Sequence, residues 1–208
     1  MLVLIFPFLS KAEYAIMNIV WRKHKLGGCM MKQWKNLSVA AMIAATMLLA
    51  GCGSVTMMEE YSFGYAQLKA GNSEVYLLSP FDLAHVKRQG GGAMMYVNND
   101  KHLNLIAMSE PAGEMTPQMA AERDVAMLEQ TPDISDLQTK ITPTTVGGRP
   151  AVKGEYTYSE PLNGQVSDLV VQSLFFEDNG QIWHIMYMYR QGDGMGQELT
   201  KYIFGQIK

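Results

Sequence analysis

For residues 74–208 the sequence predicts an α+β fold, an α/β/α sandwich around a mainly antiparallel sheet. Two Asn-Gly pairs, at 163–164 and 179–180, each separate two apolar runs, and Asn-Gly is a strong signal for a tight hairpin turn. The run after the second pair, residues 181–189, is apolar on both of its alternating faces. A sheet with two apolar faces needs a cover on each side, and helical patterns before and after these strands supply the covers.

The strand patterns that precede the first of these helices are short. Residues 61–69 are expected to be either a short helix or an extended lead-in, and residues 75–78 form an apolar run. Residues 93–97 and 103–108 are two strand candidates on either side of residues 98–100, Asn-Asn-Asp, whose side chains favour turns. The sequence therefore predicts a hairpin ahead of the first helix.

A helix is predicted to begin after Thr116, because Thr suits the N-cap position and the following Pro117 suits the first helical position. Its apolar positions recur with helical spacing, so one face should be packed against the sheet. These positions are Ala121, Val125 and Leu128. Pro132 ends the pattern.

Strand patterns dominate the remainder of the chain. Residues 151–158, 167–176 and 181–189 predict an antiparallel three-strand meander, preceded by a weaker pattern at 137–143. Residues 192–196, Gly-Asp-Gly-Met-Gly, are interpreted as a strand-to-helix turn, because no strand follows that would complete a dinucleotide-binding βαβ unit. A terminal helix is expected with an apolar side made of Leu199, Tyr202, Ile203 and Ile207.

The final strand carries the candidate chemistry of the domain. Ile182, His184, Met186 and Met188 should point to one face, because side chains alternate along a strand. Imidazole and thioether ligands together suit Cu(I), so His184, Met186 and Met188 are weak candidates for a soft-metal site. The alternative is that they fill the core, where Met is a common component. His102 follows a turn and is expected to be exposed to solvent.

The N-terminal region determines the predicted localisation. Residues 31–36 are cationic, residues 37–49 are apolar, and the segment closes on Leu49-Ala50-Gly51-Cys52. A cationic start, an apolar middle and small residues before a cleavage point are the parts of a secretory signal peptide. The Cys after Leu-Ala-Gly resembles the lipobox of bacterial lipoproteins. This resemblance implies cleavage between Gly51 and Cys52 and lipidation of the Cys52 thiol; the alternative is a chance Cys beside a signal peptide or a buried helix.

Lipidation would fix the protein to the cell envelope. Two or three acyl chains anchor a protein stably, whereas one holds it weakly. Gly53 stands where Asp would signal retention in the inner membrane, so the outer membrane is expected in a host with two membranes and the outer face of the plasma membrane in a host with one. Residues 52–73 are then the lipidated Cys and a tether.

Residues 1–30 fit neither a signal peptide nor a domain. They are interpreted as an upstream extension from a start that is placed too early, since Gly27-Gly28 can be encoded by a ribosome-binding sequence ahead of Met30 or Met31. An unusually long cationic leader is the alternative. The chain's only other Cys, Cys29, lies in this segment. The mature domain is therefore expected to have neither disulfides nor Cys-based metal sites.

One segment resembles a known family. Residues 146–151, Val-Gly-Gly-Arg-Pro-Ala, run into Glu155-Tyr156-Thr157-Tyr158, and a hairpin and short final helix follow. Together with the order of elements over residues 74–207, this resembles the PsbP-like fold and specifically the bacterial DcrB-like lipoproteins. Near Pro80 the family often carries a Trp that is absent here. Relatives are photosystem accessory proteins, a nuclear-transport GTPase-binding protein and envelope lipoproteins, and none supplies active-site residues that map onto this chain.

Charge and motifs narrow the functional classes. Residues 52–208 contain eleven basic and nineteen acidic residues, a net charge of −8, which argues against nucleic-acid binding. Neither a P-loop nor a Gly-x-Ser-x-Gly nucleophile motif occurs. The leading hypothesis is a non-enzymatic, lipid-anchored domain without a cofactor that contacts the membrane through its anchor and binds an envelope protein or supports assembly. A metal- or small-ligand-binding lipoprotein is the alternative, and an enzyme comes third.

Overall fold

A computed structural model describes residues 56–87, 94–98, 100–162 and 165–208. The helices of these residues are α1 (Met57–Glu60), α2 (Pro117–Glu129) and α3 (Gly194–Ile203). The strands are β1 (Gly64–Ala70), β2 (Ser73–Ser79), β3 (Ala84–Lys87), β4 (Met94–Val97), β5 (Asn104–Pro111), β6 (Ser135–Val146), β7 (Arg149–Leu162), β8 (Gln165–Asp178) and β9 (Gln181–Arg190). No helix within the described ranges has the length and apolarity needed to cross a membrane.

The strands form two antiparallel sheets. β1 and β2 make a separate hairpin, and the seven other strands lie in the order β3-β4-β5-β9-β8-β7-β6. Every neighbouring pair is antiparallel. The predicted α+β architecture around a mainly antiparallel sheet is therefore confirmed. The predicted three-strand meander is present as β7, β8 and β9, and β6 extends it by one strand at the edge of the sheet.

The turn between β8 and β9 shows why Asn-Gly fixes the register. Asp178 pairs with Gln181, so the loop between them is two residues long. Asn179 has φ 49° and Gly180 has φ 75°, and two consecutive positive φ values are what a type I′ hairpin turn requires. The other Asn-Gly pair lies outside the described residues, although Leu162 and Gln165 on either side of it are paired.

Helix α2 covers one face of the large sheet. Thr116 caps it, with its side chain accepting a hydrogen bond from the Met119 N–H at 3.2 Å, and Pro117 occupies the first position, as predicted. Ala120 and Ala121 are buried against Val152, Phe175 and Ile182 of three strands. Small residues on the helix permit this close approach to a sheet of large side chains.

The β1–β2 hairpin and α3 cover the opposite face. The Tyr96 hydroxyl accepts a hydrogen bond from the Lys69 N–H and donates one to the Lys69 carbonyl, both at 2.9 Å, which fixes β1 over β4. In α3, a Cβ at Gly196 would lie 2.7 Å from Cβ of Tyr189 on β9. The helix therefore depends on glycine to approach the sheet.

Part of the range predicted to be a tether, residues 52–73, is a strand. Gly64–Ala70 is strand β1, so the extended alternative for residues 61–69 is the one observed, and the compact unit includes the chain from Tyr61 onward. Ala84–Lys87 forms β3, an edge strand that the sequence patterns did not indicate. β1 buries only Leu68 and Ala70, and β3 is only four residues long, which is why their patterns are weak.

The terminal helix is shorter than predicted. Leu199 and Ile203 are buried, but Tyr202 is 43% exposed, so the expectation that Tyr202 shares their side was wrong. Ile207 lies beyond the helix and forms a bridge with Leu77 of β2. The physical reason is Gly205, whose φ of 73° turns the chain away from the helical path and toward the hairpin.

Candidate functional site

The residues predicted from the lipobox, Gly51 and Cys52, lie outside the described residues. The other predicted candidates, His184, Met186 and Met188, lie on the face of β9 that α2 covers, as the alternation of the strand indicates. His184 is opposite Met108 on β5 and Phe175 on β8. The His184 and Phe175 rings stack with centroids 4.1 Å apart.

Four polar side chains meet beneath α2, and we call them the α2 polar cluster: Asp124, Tyr156, Ser173 and His184. Nε2 of His184 lies 3.1 Å from Oγ of Ser173 and 3.8 Å from Oδ2 of Asp124. Tyr156 reaches the cluster across Gly154, where a Cβ would overlap the tyrosine hydroxyl. Asp124 comes from the helix and the other three residues from β7, β8 and β9, so helix docking assembles the cluster.

Burial dominates the electrostatics of the α2 polar cluster. It lowers the pKa of His184, with the Asp124 carboxylate opposing the shift, so the imidazole is held neutral at physiological pH. Burial, and next the charge of Asp124, raise the pKa of Tyr156 far above its usual value. The cluster therefore contains one carboxylate among neutral donors and acceptors.

The α2 polar cluster contains the residue types of a Ser-His-Asp triad without its geometry. In a triad the serine and the carboxylate bind opposite nitrogens of the imidazole, so that one receives a proton while the other orients the ring. Here both Ser173 and Asp124 lie at Nε2 of His184. Ser173 is also fully buried, so its hydroxyl meets no substrate. The packing of α2 through Ala120 and Ala121 covers these residues.

The two methionines of the predicted soft-metal site lie in the core. Sδ of Met188 accepts a hydrogen bond from the Tyr158 hydroxyl at 3.7 Å, and Met186 and Met188 are both more than nine-tenths buried. Within the described ranges, no group of three or more His, Cys, Asp or Glu side chains is placed to hold a metal ion. A metal site at His184, Met186 and Met188 stays a prediction.

Arg149, in the segment 146–151 that carries the family resemblance, has a structural role that the sequence did not reveal. Nε of Arg149 binds Oδ1 of Asp178 at 2.9 Å, and Oδ2 of Asp178 accepts a hydrogen bond from Ser73 at 2.6 Å. Oγ of Ser73 in turn accepts from the indole N–H of Trp183 at 2.8 Å. This buried chain of contacts, the Trp183 network, ties the hairpin to the large sheet.

His102 was predicted to be solvated, but its side chain is mostly buried and contacts Asp193. Its Nδ1 lies 2.9 Å from Oδ2 of Asp193, and its side chain is only 25% exposed. Asp193 also accepts a hydrogen bond from the Gly196 N–H and caps α3. Burial alone would raise the pKa of Asp193, but the Gly196 N–H and His102 outweigh it and the pKa is lowered. The segment at 192–196 is thus a capped strand-to-helix turn.

Comparison with known proteins adds a likeness of fold. No family model and no curated protein matches the chain. Among solved structures, the chain is similar to CyanoP, a PsbP protein of Synechocystis sp. PCC 6803, at 12% identity and a TM-score of 0.48, over 77% of this chain and 98% of that one.

Two further structures are similar. LpqN of Mycobacterium tuberculosis, which is involved in cell envelope biogenesis, is 12% identical with a TM-score of 0.40, over 74% of this chain and 96% of LpqN. A Pseudomonas aeruginosa protein of unknown function is 11% identical with a TM-score of 0.40, over 66% of this chain and 91% of that one. At these identities and TM-scores the likeness carries no inference about what this chain binds or does.

Proposed function

We propose that the chain is a lipid-anchored, non-enzymatic domain of the cell envelope that binds an envelope protein or supports assembly. The observation that carries the proposal is Leu49-Ala50-Gly51-Cys52 placed directly after a cationic and then an apolar segment. Each part alone is common, but a signal peptide that ends at this motif is typical of a lipoprotein. Gly53 favours the outer membrane in a host with two membranes.

The structured part of the chain is compatible with such an anchor. The compact unit includes Tyr61, so eight residues separate its first described residue from Cys52, whose sulfur would carry the lipid. At about 0.8 kcal/mol for each buried CH₂, two or three acyl chains hold a domain of this size on a membrane. No span through the bilayer is needed.

The absence of a catalytic role is supported by the α2 polar cluster. Its Ser, His and Asp side chains lack the arrangement of a nucleophilic triad, and they are buried beneath a helix. Arg149 likewise binds Asp178, which binds Ser73 of the hairpin, so its role is to join the hairpin to the large sheet. Ser173, Arg149 and Asp178 thus have structural partners within the described ranges.

Replacing the lipidated residue tests the anchor. Cys52→Ser should move the protein from the membrane fraction to the soluble fraction and abolish incorporation of labelled fatty acid, because serine has no thiol to acylate. Cys29→Ser is the matched control, since it removes the chain's other Cys and should change neither measurement. Equal sedimentation of Cys52→Ser and the unaltered protein would overturn the proposal.

Crosslinking in native membranes tests the protein-binding role. The unaltered protein should give a discrete crosslinked species that Cys52→Ser does not give, because the soluble variant no longer meets a partner held at the same membrane. Identical products from both variants would argue that the anchor does not bring the domain to its partner. Mass spectrometry of the crosslinked species identifies that partner.

A further inference from the structure

The outer side of the β1–β2 hairpin carries an aromatic surface. Its members are Phe63, Tyr65, Tyr76, Tyr202 and Lys208, and we call them the hairpin aromatic surface. The Phe63 and Tyr202 rings meet edge to face with centroids 4.7 Å apart. Nζ of Lys208 lies 3.9 Å from the centroid of the Tyr65 ring. Lys208 is hydrogen-bonded to Tyr76 through both backbone groups, so the end of the chain pairs with β2 at an isolated bridge.

Three tyrosines of this surface are exposed to an unusual degree. Tyr65 is 44% exposed, Tyr76 38% and Tyr202 43%, and they account for half of the large apolar side chains that are exposed in the described residues. Tyr76 points outward because its strand neighbours Val75 and Leu77 are fully buried beneath the hairpin. The hairpin thus buries one face in the fold and presents aromatic rings on the other.

The position of the aromatic surface in the chain is informative. Phe63 and Tyr65 lie at the start of β1, so this surface is where the chain from Cys52 enters the fold. The nine links from Cys52 to Tyr61 span at most about 30 Å when fully extended. A compact domain of about 150 residues has a radius of gyration near 15 Å and therefore a diameter of roughly 38 Å. The tether is shorter than the domain, so the side that it enters cannot face directly away from the membrane.

We propose that the hairpin aromatic surface rests on the phospholipid headgroups of the membrane that holds the Cys52 acyl chains. The inference rests on the proposed lipid anchor. Tyrosine suits this boundary because it joins an apolar ring to a polar hydroxyl, and Tyr is enriched at membrane–water interfaces. The Tyr76 hydroxyl is hydrogen-bonded to Glu74 and Gln67 on the same face of the hairpin. A lysine beside the rings keeps its ammonium group in water while its methylenes cover apolar surface.

Charge does not drive this contact. Residues 52–208 carry a net charge of −8, which anionic headgroups repel. Lys69 on the same face is already paired with Glu74 at 3.2 Å. Burial of the aromatic rings must therefore provide the contact, and we expect it to persist when added salt screens surface charges.

Position-specific labelling of the full lipidated chain tests the inference. The mature chain has no Cys apart from the acylated Cys52, so Tyr76→Cys provides a single free thiol for a fluorophore. Met119→Cys is the matched control, because Met119 is 47% exposed on α2 at the opposite face of the large sheet. Each labelled protein is placed in phosphatidylcholine–phosphatidylglycerol vesicles in which some headgroups carry a nitroxide quencher.

The label at position 76 should lose much of its emission in these vesicles and keep that loss in high salt, whereas the label at position 119 should be unaffected. Replacing both Tyr65 and Tyr202 with Ser should reduce quenching at position 76 while the protein remains bound to vesicles. Equal quenching at both positions, or crosslinking of position 76 to a protein in native membranes, would overturn the inference and leave the anchor intact. Failure of the lipidated protein to bind vesicles would instead refute the proposed function.

Discussion

Ser73 is the central link of the Trp183 network, and its removal provides a quantitative test of how the hairpin is attached. Its hydroxyl accepts a hydrogen bond from the indole N–H of Trp183 and donates one to Asp178. All three residues are more than nine-tenths buried. Ser73→Ala removes one oxygen atom and creates little empty space, so its effect on stability reports the hydrogen bonds.

The magnitude follows from the two lost hydrogen bonds. A buried N–H left without an acceptor costs about 1–3 kcal/mol, and a hydrogen bond to a charged group contributes about 1.5–3 kcal/mol. Arg149 and Asn179 continue to bind Asp178, which limits the loss at the carboxylate. We expect Ser73→Ala to lower the free energy of unfolding by about 3 kcal/mol, and hence the melting temperature by roughly 6–12 °C.

Intrinsic fluorescence provides the assay. Trp183 is the only Trp after residue 51, so its emission reports directly on the site during denaturant unfolding. Ser135→Ala is the matched control, because Ser135 is an exposed strand residue of β6, and it should change stability by less than about 0.5 kcal/mol. A Ser73→Ala effect no larger than that of Ser135→Ala would refute the reasoning.

Two further substitutions test the packing of α3 and a buried carboxyl group. Gly196→Ala should destabilise the domain by about 1–3 kcal/mol in thermal unfolding, because its Cβ would lie 2.5 Å from the His102 carbonyl oxygen and 2.7 Å from Cβ of Tyr189. Gly194→Ala is the control, because a Cβ at Gly194 meets nothing within 4 Å. Equal effects of the two substitutions would contradict the close approach of α3 to the sheet. Burial raises the pKa of Glu160 from 4.5 to about 7, so the stability linked to this group is fully present below pH 4.5 and is lost as the pH rises toward 7. Glu160→Gln should therefore leave stability unchanged at low pH and raise it by up to about 3 kcal/mol at about pH 8, and a pH-independent effect in denaturant titrations would be inconsistent with that shift.

The sequence predicted the elements that are encoded locally. Asn179-Gly180 fixes a hairpin because its residues adopt positive φ at little cost, and Thr116-Pro117 fixes a helix start because the cap and the missing N–H act within one turn. The extent of β1 and the existence of β3 were not predictable in this way. β1 buries only two of its seven residues and β3 is only four residues long, so their own patterns carry little signal.

The contacts of the site residues were likewise predictable only where they depend on local sequence. Alternation in β9 predicted that His184, Met186 and Met188 share a face, but not that Asp124 would reach His184 from a helix sixty residues away. Likewise, His102 follows a turn and was expected to be solvated, whereas the docking of α3 places Asp193 against it. No local pattern records a contact between two elements that are distant in sequence.

The sequence by itself determined the α+β class, the meander, the capped helix and the prediction of a lipidated Cys52, because turns, caps, alternation and processing signals depend on neighbours within a few residues. The tertiary structure alone decided that Ser73, Trp183 and Asp178 form one buried network and that Tyr65 and Tyr76 face outward. Those outcomes depend on which surfaces remain exposed after the hairpin, helices and sheet have packed. This packing involves residues that are far apart in the sequence.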